Sequence, residues 1–239
     1  MSMSSPATPT TPATLTDSTT APPRRTALLL GASGLVGGQL LDLLLEAPDF
    51  TDILAPTRSP LARQHGKLHT RLLDPEAPER CLLPAIDDVF CCLGTTLKAA
   101  GSKAAFRHID HDLVLALARQ AQAAGARQFL LVSSIGADSR SPFFYMRTKG
   151  ETEDALKTLA YPSTSVFHPA YLTGQRRQSR LLEDLTGRLM QRLAWLMPPA
   201  YRPVAARQVA HAMLTQARRA PPGFHTLQPI LFDLQPSSP

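Results

Sequence analysis

Residues 27–37 read ALLLGASGLVG, an apolar run that leads directly into three glycines spaced three residues apart. A helical pattern of apolar residues follows at once, so the order is strand, glycine-rich turn and helix. Such glycines allow a tight turn, let backbone amides approach a pyrophosphate and permit close packing of helix on strand. The stretch predicts a dinucleotide-binding unit, the alternative being a plain turn of small residues. The residues predicted to bind the pyrophosphate are Gly31, Ala32, Ser33, Gly34, Leu35, Val36 and Gly37.

Outward from this turn, short β-type runs alternate with longer helical patterns. This alternation is typical of βαβ units and a parallel sheet. The predicted strands are residues 27–30, 52–56, 69–73, 88–93, 128–133, 164–168 and 225–231. The predicted helices are residues 36–46, 104–124, 143–159, 180–196 and 206–217. The expected fold class is α/β, a single Rossmann-type doubly wound parallel sheet with a small helical cap near the C-terminus.

The two ends of the chain are expected to differ from the middle. Residues 1–23 are almost wholly Ser, Thr, Pro and Ala, and such a segment buries too little apolar surface to offset the entropy of ordering it. We expect a disordered tail, the alternative being an organellar transit peptide, although the first arginines are Arg24 and Arg25. Residues 24–239 are expected to form one domain, with a substrate-side cap at about residues 172–200.

The composition limits the possible partners and compartments. A net charge of +6 is compatible with nucleic acid, an anionic membrane or a phosphorylated small molecule. Cys81, Cys91 and Cys92 lack the spacing of a disulfide framework or a zinc site. The sequence has no secretory signal pattern, and it has no apolar stretch of the roughly 18 residues that a membrane span requires. We therefore expect a cytoplasmic protein without a membrane span.

A cluster of His108, Asp110, His111 and Asp112 lies within one predicted helix. A metal site normally has more converging ligands and a second shell of hydrogen-bonding partners. We therefore expect these to be solvated helix residues and predict no metal ligand.

The end of the second predicted strand indicates which dinucleotide is bound. An NAD-selective site has a carboxylate there, whereas this chain has Arg58. A guanidinium forms charge-assisted bonds to a 2′-phosphate, so the sequence favours NADP(H) over NAD(H), unless Arg58 is an ordinary surface charge. Asp74, after the third strand, is expected to meet the adenine. Leu93 and Gly94, after the fourth, are expected beside the ribose and nicotinamide.

Three hydroxyl- or amine-bearing residues form the predicted catalytic set. Tyr145 and Lys149 stand four residues apart in a predicted helix, so both fall on one face. An ammonium beside a phenol favours the phenolate, which suits Tyr145 to proton transfer. The fifth strand runs out at Ser133 and Ser134, at the carboxyl edge of the sheet. Ser134 is predicted to polarise a substrate carbonyl, and Ser133 is the alternative.

These motifs resemble those of the short-chain dehydrogenase/reductase superfamily. Residues 91–96 (CCLGTT), 129–138 (FLLVSSIGAD) and 145–153 (YMRTKGETE) are similar to the atypical, NmrA-like branch that contains the Tat-interacting oxidoreductases and their bacterial relatives. The resemblance extends from about residue 26 to the last strand. One departure is that classical members have an asparagine in the helix before the serine strand, whereas residues 104–124 contain none.

The resemblance implies an NADPH-binding domain with Tyr145 and Lys149 as the active-site pair and Arg58 as the phosphate-binding arginine. It also implies that Pro169 and Tyr171 lie in the segment that passes the nicotinamide carboxamide. With Ser133 and the residues named above, these complete the predicted cofactor site. We expect hydride transfer from NADPH to a carbonyl-like small molecule whose identity the sequence does not give.

Two other functions remain as alternatives. The first is an NADP(H)-sensing regulatory protein that binds a protein partner, because the eukaryotic relatives are discussed mainly as regulators. The second, nucleic-acid binding, rests on the basic charge alone. Five arginines follow the sixth predicted strand, but few aromatic residues accompany them, so a substrate-side cap is favoured over a stacking platform. These arginines are Arg176, Arg177, Arg180, Arg188 and Arg192.

Overall fold

The computed structural model describes residues 24–173 and 203–228, and a parallel sheet forms the centre of this part of the chain. The strands are β1 (Arg25–Leu30), β2 (Phe50–Thr57), β3 (Leu68–Leu72), β4 (Asp88–Cys91), β5 (Gln128–Val132), β6 (Ser163–Phe167), β7 (Leu172–Thr173), β8 (Val204–Ala205) and β9 (Gly223–Leu227). Seven of them form one sheet in the order β3-β2-β1-β4-β5-β6-β9, and every pairing is parallel. Strands β7 and β8 pair separately.

Helices cover both faces of this sheet. They are α1 (Leu35–Glu46), α2 (Leu97–Ala100), α3 (Lys103–Arg107), α4 (Leu113–Ala123), α5 (Phe144–Thr158) and α6 (Ala206–Arg219). A 3₁₀ turn spans Pro78–Arg80, and a π-helical turn, His108–Asp112, joins α3 to α4. The predicted α/β fold with a doubly wound parallel sheet is confirmed.

The central strand β1 shows why the sheet is covered on both sides. Its residues 27–30 are fully buried, as expected of a strand whose successive side chains point to opposite faces. Ala27 and Leu29 belong to the core that contains α1 and α6, whereas Leu28 and Leu30 belong to the core that contains α4.

The strand order reverses between β1 and β4, which are neighbours in the sheet although two strands separate them in sequence. Parallel sheets open a crevice outside the carboxyl ends of the strands at such a switch point. The turn after β1 and the segment after β4 therefore border the same crevice.

A polar cluster closes the opposite, amino end of the sheet. The Arg25 guanidinium forms an ion pair with Asp88, and it also donates to the Gln128 side chain at 3.2 Å and to the Ala217 carbonyl at 3.1 Å. Burial raises the pKa of Asp88 to about 6, although Arg25 acts in the opposite direction.

Several predicted elements differ from the structure. The predicted helix at 104–124 is interrupted by the π-helical turn. No helix connects β2 to β3 over residues 58–67, although helices were expected in most gaps. The last strand begins and ends earlier than predicted, at Gly223 and Leu227. The predicted tail at 1–23, the helix at 180–196 and all but the first two residues of the cap at 172–200 lie outside the described residues.

Candidate active site

The glycine turn after β1 has no room for side chains at two positions. Gly31 has a φ of +81°, and a Cβ added there would lie 2.6 Å from the Cys92 carbonyl oxygen. A Cβ at Gly37 would lie 2.1 Å from the Gly31 carbonyl oxygen. The Gly34 amide donates to that same carbonyl at 2.9 Å. Only glycine therefore lets the turn, α1 and the segment after β4 approach each other this closely.

The start of α1 can accept an anion. Its N-cap residue is Gly34, no side chain caps the helix, and its first turn contains no acidic residue. Ser33 and Gly34 are exposed, whereas Ala32, Val36 and Gly37 are buried and Leu35 is half-buried. The first amides of a helix lack intrahelical acceptors and carry partial positive charge. This cradle fits the pyrophosphate of a dinucleotide.

The loop after β2 contains two arginines, of which one forms an ion pair and the other does not within the described ranges. Arg63 forms an ion pair with Asp42 of α1. Arg58 is exposed, and within the described ranges its side chain forms no ion pair or hydrogen bond. The Thr57 hydroxyl donates to the Ser59 carbonyl at 2.8 Å and so fixes the turn that carries Arg58. The Arg58 guanidinium is therefore available to a ligand.

The residues predicted to contact the cofactor after β3 and β4 lie in different surroundings: Asp74 is in an exposed turn, whereas Gly94 is close to Lys149. Asp74 is exposed, and its carboxylate accepts the Glu76 amide at 3.0 Å in a local turn. Leu93 is half-buried and Gly94 is exposed. A Cβ at Gly94 would lie 3.5 Å from Asp110 Oδ1 and 3.6 Å from Lys149 Nζ. Gly94 therefore lies against the predicted catalytic lysine.

Lys149 forms a buried ion pair with Asp110, at 2.7 Å between Nζ and Oδ1. The two residues are 6% and 1% exposed. Burial lowers the pKa of Lys149, but the charges of Asp110 and Tyr145 and the bond to Asp110 raise it, with the net result above its ordinary value. Lys149 is therefore a charged ammonium at neutral pH.

Tyr145 lies one turn before Lys149 on α5, as the spacing predicts. It is half-buried, and its ring contacts the buried Phe106 ring with centroids 5.4 Å apart. The Phe106 contact holds the ring, and part of the residue remains exposed to solvent.

The two serines after β5 have different partners. The Ser133 hydroxyl donates to the Glu153 carboxylate, which also contacts His168 Nε2 at 2.9 Å. The Ser134 hydroxyl contacts only the carbonyl of its neighbour Ile135, at 3.3 Å, among the described residues. Ser133 is thus occupied by a carboxylate, and Ser134 keeps a weak bond that a ligand can replace.

The segment after β6 continues along the same edge of the sheet. Pro169 is buried, and its carbonyl accepts the Ile135 amide at 3.1 Å. Tyr171 is 45% exposed, and its carbonyl accepts the Val204 amide at 2.8 Å. The backbone of this segment is therefore hydrogen-bonded to Ile135, in the loop that follows β5, and to β8.

Sequence reasoning missed Asp110, Glu153 and His168. Asp110 was expected to be solvated, which is wrong because the helix turns it inward against Lys149. A signal was present in the spacing, because position 110 shares a helical face with the fully or nearly buried Phe106, Leu113 and Leu117. The contacts of Glu153 and His168 join α5 to β5 and β6, and no local pattern reveals such long-range pairs.

Two further observations concern only residues 24–173 and 203–228. No three His, Cys, Asp or Glu side chains converge there as metal ligands would. None of the helices in these ranges has the length and apolar character needed to cross a bilayer.

Comparison with known proteins places the chain in a family. The sequence model of the NAD(P)H-binding family matches residues 31–218, from the first glycine of the turn to the last helix. The chain belongs to the NAD(P)H-binding family.

Relatives of this NAD(P)H-binding protein are found among eukaryotes. It is 34% identical over 188 residues to Protein FMP52, mitochondrial, of Coccidioides immitis. The aligned region covers 73% of this chain and 76% of that protein. It is 36% identical over 162 residues to Protein HTATIP2 of Rattus norvegicus, and the aligned region covers 65% of this chain and 66% of that protein. The resemblance to the Tat-interacting group is thereby confirmed.

The same NAD(P)H-binding fold occurs in solved structures. MoeE5 in complex with UDP-glucose and NAD superposes with a TM-score of 0.66 at 16% identity, over 85% of this chain and 75% of that one. At this identity the likeness supports the Rossmann-type fold and nothing finer.

The prediction of a cytoplasmic protein is contradicted by the names of the relatives. The Coccidioides immitis protein and three further fungal relatives are named mitochondrial. The prediction was wrong in its logic as well, because cysteines without disulfide spacing suit any reducing compartment.

Proposed function

We propose that this NAD(P)H-binding protein is an NADPH-dependent reductase that acts on a carbonyl group of a small molecule. The observation that carries the proposal is the buried Lys149, which is paired with Asp110, follows the half-buried Tyr145 by one helical turn and lies close to Gly94 in the segment after β4. This arrangement supplies a proton donor and a fixed positive charge at the carboxyl edge of the sheet, where ligands of such sheets bind.

Each catalytic side chain has a distinct role in the proposal. The Ser134 hydroxyl donates a hydrogen bond to the substrate oxygen as negative charge develops on it. The Tyr145 hydroxyl then gives that oxygen its proton, because the adjacent Lys149 ammonium stabilises the phenolate that remains. Lys149 also donates to the ribose hydroxyls of the cofactor. Bound NADPH would supply the hydride.

The exposed Arg58, which is unpaired among the described residues, supports NADP(H) as the proposed cofactor. Its guanidinium is exposed and unpaired within the described ranges, whereas Arg63 in the same loop is paired with Asp42. A 2′-phosphate would provide Arg58 with a bidentate partner. The remaining proposed contacts are Asp74 with adenine, Leu93 and Gly94 with the ribose and nicotinamide, and Pro169 and Tyr171 with the carboxamide. Ser133 is proposed to lie beside the nicotinamide without using its hydroxyl, which is bound to Glu153.

The test is a titration of the purified protein with NADPH and NADH, followed by cofactor fluorescence. We expect tighter binding of NADPH, and about a tenfold or greater loss of NADPH affinity in Arg58→Ala with little change for NADH, because a charged hydrogen bond contributes about 1.5–3 kcal/mol. Arg63→Ala removes the same charge from the same loop and is the matched control, expected to retain the preference for NADPH.

A second stage tests turnover. A panel of aldehydes and ketones is added to the NADPH complex, and the loss of NADPH absorbance is followed. Failure of both nucleotides to bind would contradict the whole proposal. Binding without reduction of any panel member would contradict the reductase assignment and favour a cofactor sensor.

A further inference from the structure

We propose that Asp110 is a positioning residue, which holds the Lys149 ammonium towards the cofactor and joins it to the segment after β4. The inference rests on the proposed function, because it concerns how that site is held in place. It is carried by the two carboxylate oxygens of Asp110, which contact different parts of the site.

The backbone of the π-helical turn places Asp110 at this point. The turn spans His108–Asp112, and Asp110 is the buried residue within it. The single proton of the Thr152 hydroxyl is shared between the Asp110 carbonyl, at 3.0 Å, and the Thr148 carbonyl, at 2.8 Å. Helix α5 therefore holds the turn as well as Lys149. Single π-turns within α-helices occur often at functional sites.

The carboxylate of Asp110 bridges two elements of the site. Oδ1 lies 2.7 Å from Lys149 Nζ on α5. Oδ2 accepts the Thr95 amide at 2.9 Å, in the segment that follows β4. A Cβ added at Gly94, next to Thr95, would be in contact distance of both charged groups. A displacement of Asp110 would therefore loosen the lysine and the wall of the crevice together.

The charges around Lys149 make Asp110 its principal partner. The titratable groups that face Lys149 are Asp110 from the π-helical turn, Tyr145 from α5 and Cys91 from β4. Burial raises the pKa of Cys91 to about 12, so its thiol is neutral. Within the described ranges, Asp110 is thus the carboxylate that compensates the buried ammonium. Without it, burial alone would favour neutral lysine.

The ion pair with Asp110 leaves the Lys149 ammonium able to bind further acceptors. An ammonium has three N–H donors, and the Asp110 oxygen paired with it is Oδ1, whereas Oδ2 accepts the Thr95 amide. The remaining donors can serve the ribose hydroxyls and the phenolate of Tyr145. Asp110 itself has no exposed surface beyond 1%, so it acts through Lys149 and does not touch the substrate.

The first test observes Lys149 in the protein without nucleotide. Isotope labelling of lysine and NMR titration give its protonation midpoint, and Lys149→Arg identifies its signal among those of Lys67, Lys98, Lys103 and Lys157. We expect a wild-type midpoint above that of an unperturbed lysine and a clearly lower one in Asp110→Asn. The matched control is Asp112→Asn, in the same turn but paired with His111 and half exposed, which should leave the midpoint unchanged.

The second test measures NADPH affinity across pH. In Asp110→Asn we expect a loss of about tenfold or more, which grows as pH rises because the lysine loses its proton earlier. In a Lys149→Met background, the same change should cause no further loss, because Asp110 acts through the lysine. Thermal unfolding monitors whether each variant is folded.

The outcomes separate the inference from the function on which it rests. If wild-type protein binds neither nucleotide, the proposed function fails, while the NMR midpoints still decide whether Asp110 holds Lys149. If wild type binds NADPH but Asp110→Asn has the same midpoint and affinity, the inference is wrong. If Asp110→Asn does not fold, the inference is judged on the protonation midpoint of Lys149 in wild-type protein. A midpoint below that of an unperturbed lysine overturns the inference.

Discussion

The hydroxyl of Ser133 donates a hydrogen bond to the carboxylate of Glu153, twenty residues further along the chain. Glu153 also contacts His168, and all three side chains are largely buried. A charged acceptor holds a hydroxyl firmly, so this bond fixes the end of β5 against α5 and the end of β6. The Ser133 hydroxyl is thus bound to a carboxylate, whereas the Ser134 hydroxyl contacts only a backbone carbonyl among the described residues.

The two adjacent serines should therefore respond differently to removal of the hydroxyl. Ser134→Ala should lower turnover by about 10²–10³-fold with little effect on stability, as expected for loss of a hydrogen bond to a developing oxyanion. Ser133→Ala should lower the free energy of unfolding by about 1–3 kcal/mol, because a buried carboxylate loses a partner, and leave turnover within a few-fold. Steady-state kinetics and urea unfolding of both variants measure this. The reverse pattern would assign catalysis to Ser133.

Removal of a single oxygen tests the proposed proton donor. Tyr145→Phe keeps the ring that packs on Phe106 but cannot donate a proton. Turnover should fall by about 10²–10⁴-fold, while NADPH affinity stays near that of wild type because Lys149 and the glycine turn are intact. Kinetics and cofactor fluorescence report the two effects separately. Full activity in this variant would mean that another group supplies the proton.

Neighbouring glycines on α1 provide a matched pair. Gly37→Ala would put a methyl group 2.1 Å from the Gly31 carbonyl oxygen, whereas at Gly38 the nearest atom, the Ala32 carbonyl oxygen, is 3.6 Å away. We expect Gly37→Ala to destabilise the fold by about 1–3 kcal/mol or more and to weaken dinucleotide binding. Gly38→Ala should stabilise it by up to about 1 kcal/mol, because alanine favours the helix.

Urea unfolding and NADPH titration of the two alanine variants test this contrast. Equal effects at both positions would show that the turn and α1 are not packed as closely as their backbone atoms indicate.

The buried Asp88 should make stability depend on pH. Its pKa is raised from 3.8 to about 6 in the folded protein, so between these values the folded state binds the proton more tightly than the unfolded state. The free energy of unfolding contributed by this group is therefore highest in acid and decreases as pH rises from about 4 to 6. Relative to Asp88→Asn, wild type should lose about 1–3 kcal/mol over this range.

Urea unfolding of both proteins at several pH values measures that difference. The exposed Asp154→Asn serves as a control that should run parallel to wild type. If Asp88→Asn also runs parallel to wild type, the ion pair with Arg25 keeps Asp88 charged throughout.

Much of the fold was predictable because its signals are local. The apolar run of β1 is buried on both faces, and such runs alternate with helices in any parallel sheet. The connection from β2 to β3 was not predictable in the same way. Residues 58–67 contain Pro60 and Gly66, which disfavour a helix, but only the structure shows that none forms there.

The candidate site was predictable where its residues follow strand ends or share one helix face. Gly31, Gly34 and Gly37 lie at the turn as expected, and the spacing of Tyr145 and Lys149 places them one turn apart. The partners of these groups were not predictable, because side-chain periodicity does not register a change in backbone hydrogen bonding. The helical spacing of residue 110 from buried neighbours indicates that Asp110 is buried. It does not identify Lys149 as the partner, because the π-helical turn that brings the two together leaves no mark in composition.

That turn also affects how related sequences should be aligned. A π-turn accommodates one residue more than the α-helical path it replaces, so a relative with an uninterrupted helix has one residue fewer between Lys103 and Ala123. An alignment without a gap would then shift every column on one side of His108–Asp112 by a single position. The residue that pairs with Lys149 would be compared with the wrong neighbour. Apparent gains or losses of an acidic residue at this column can therefore be differences in helix winding rather than in chemistry.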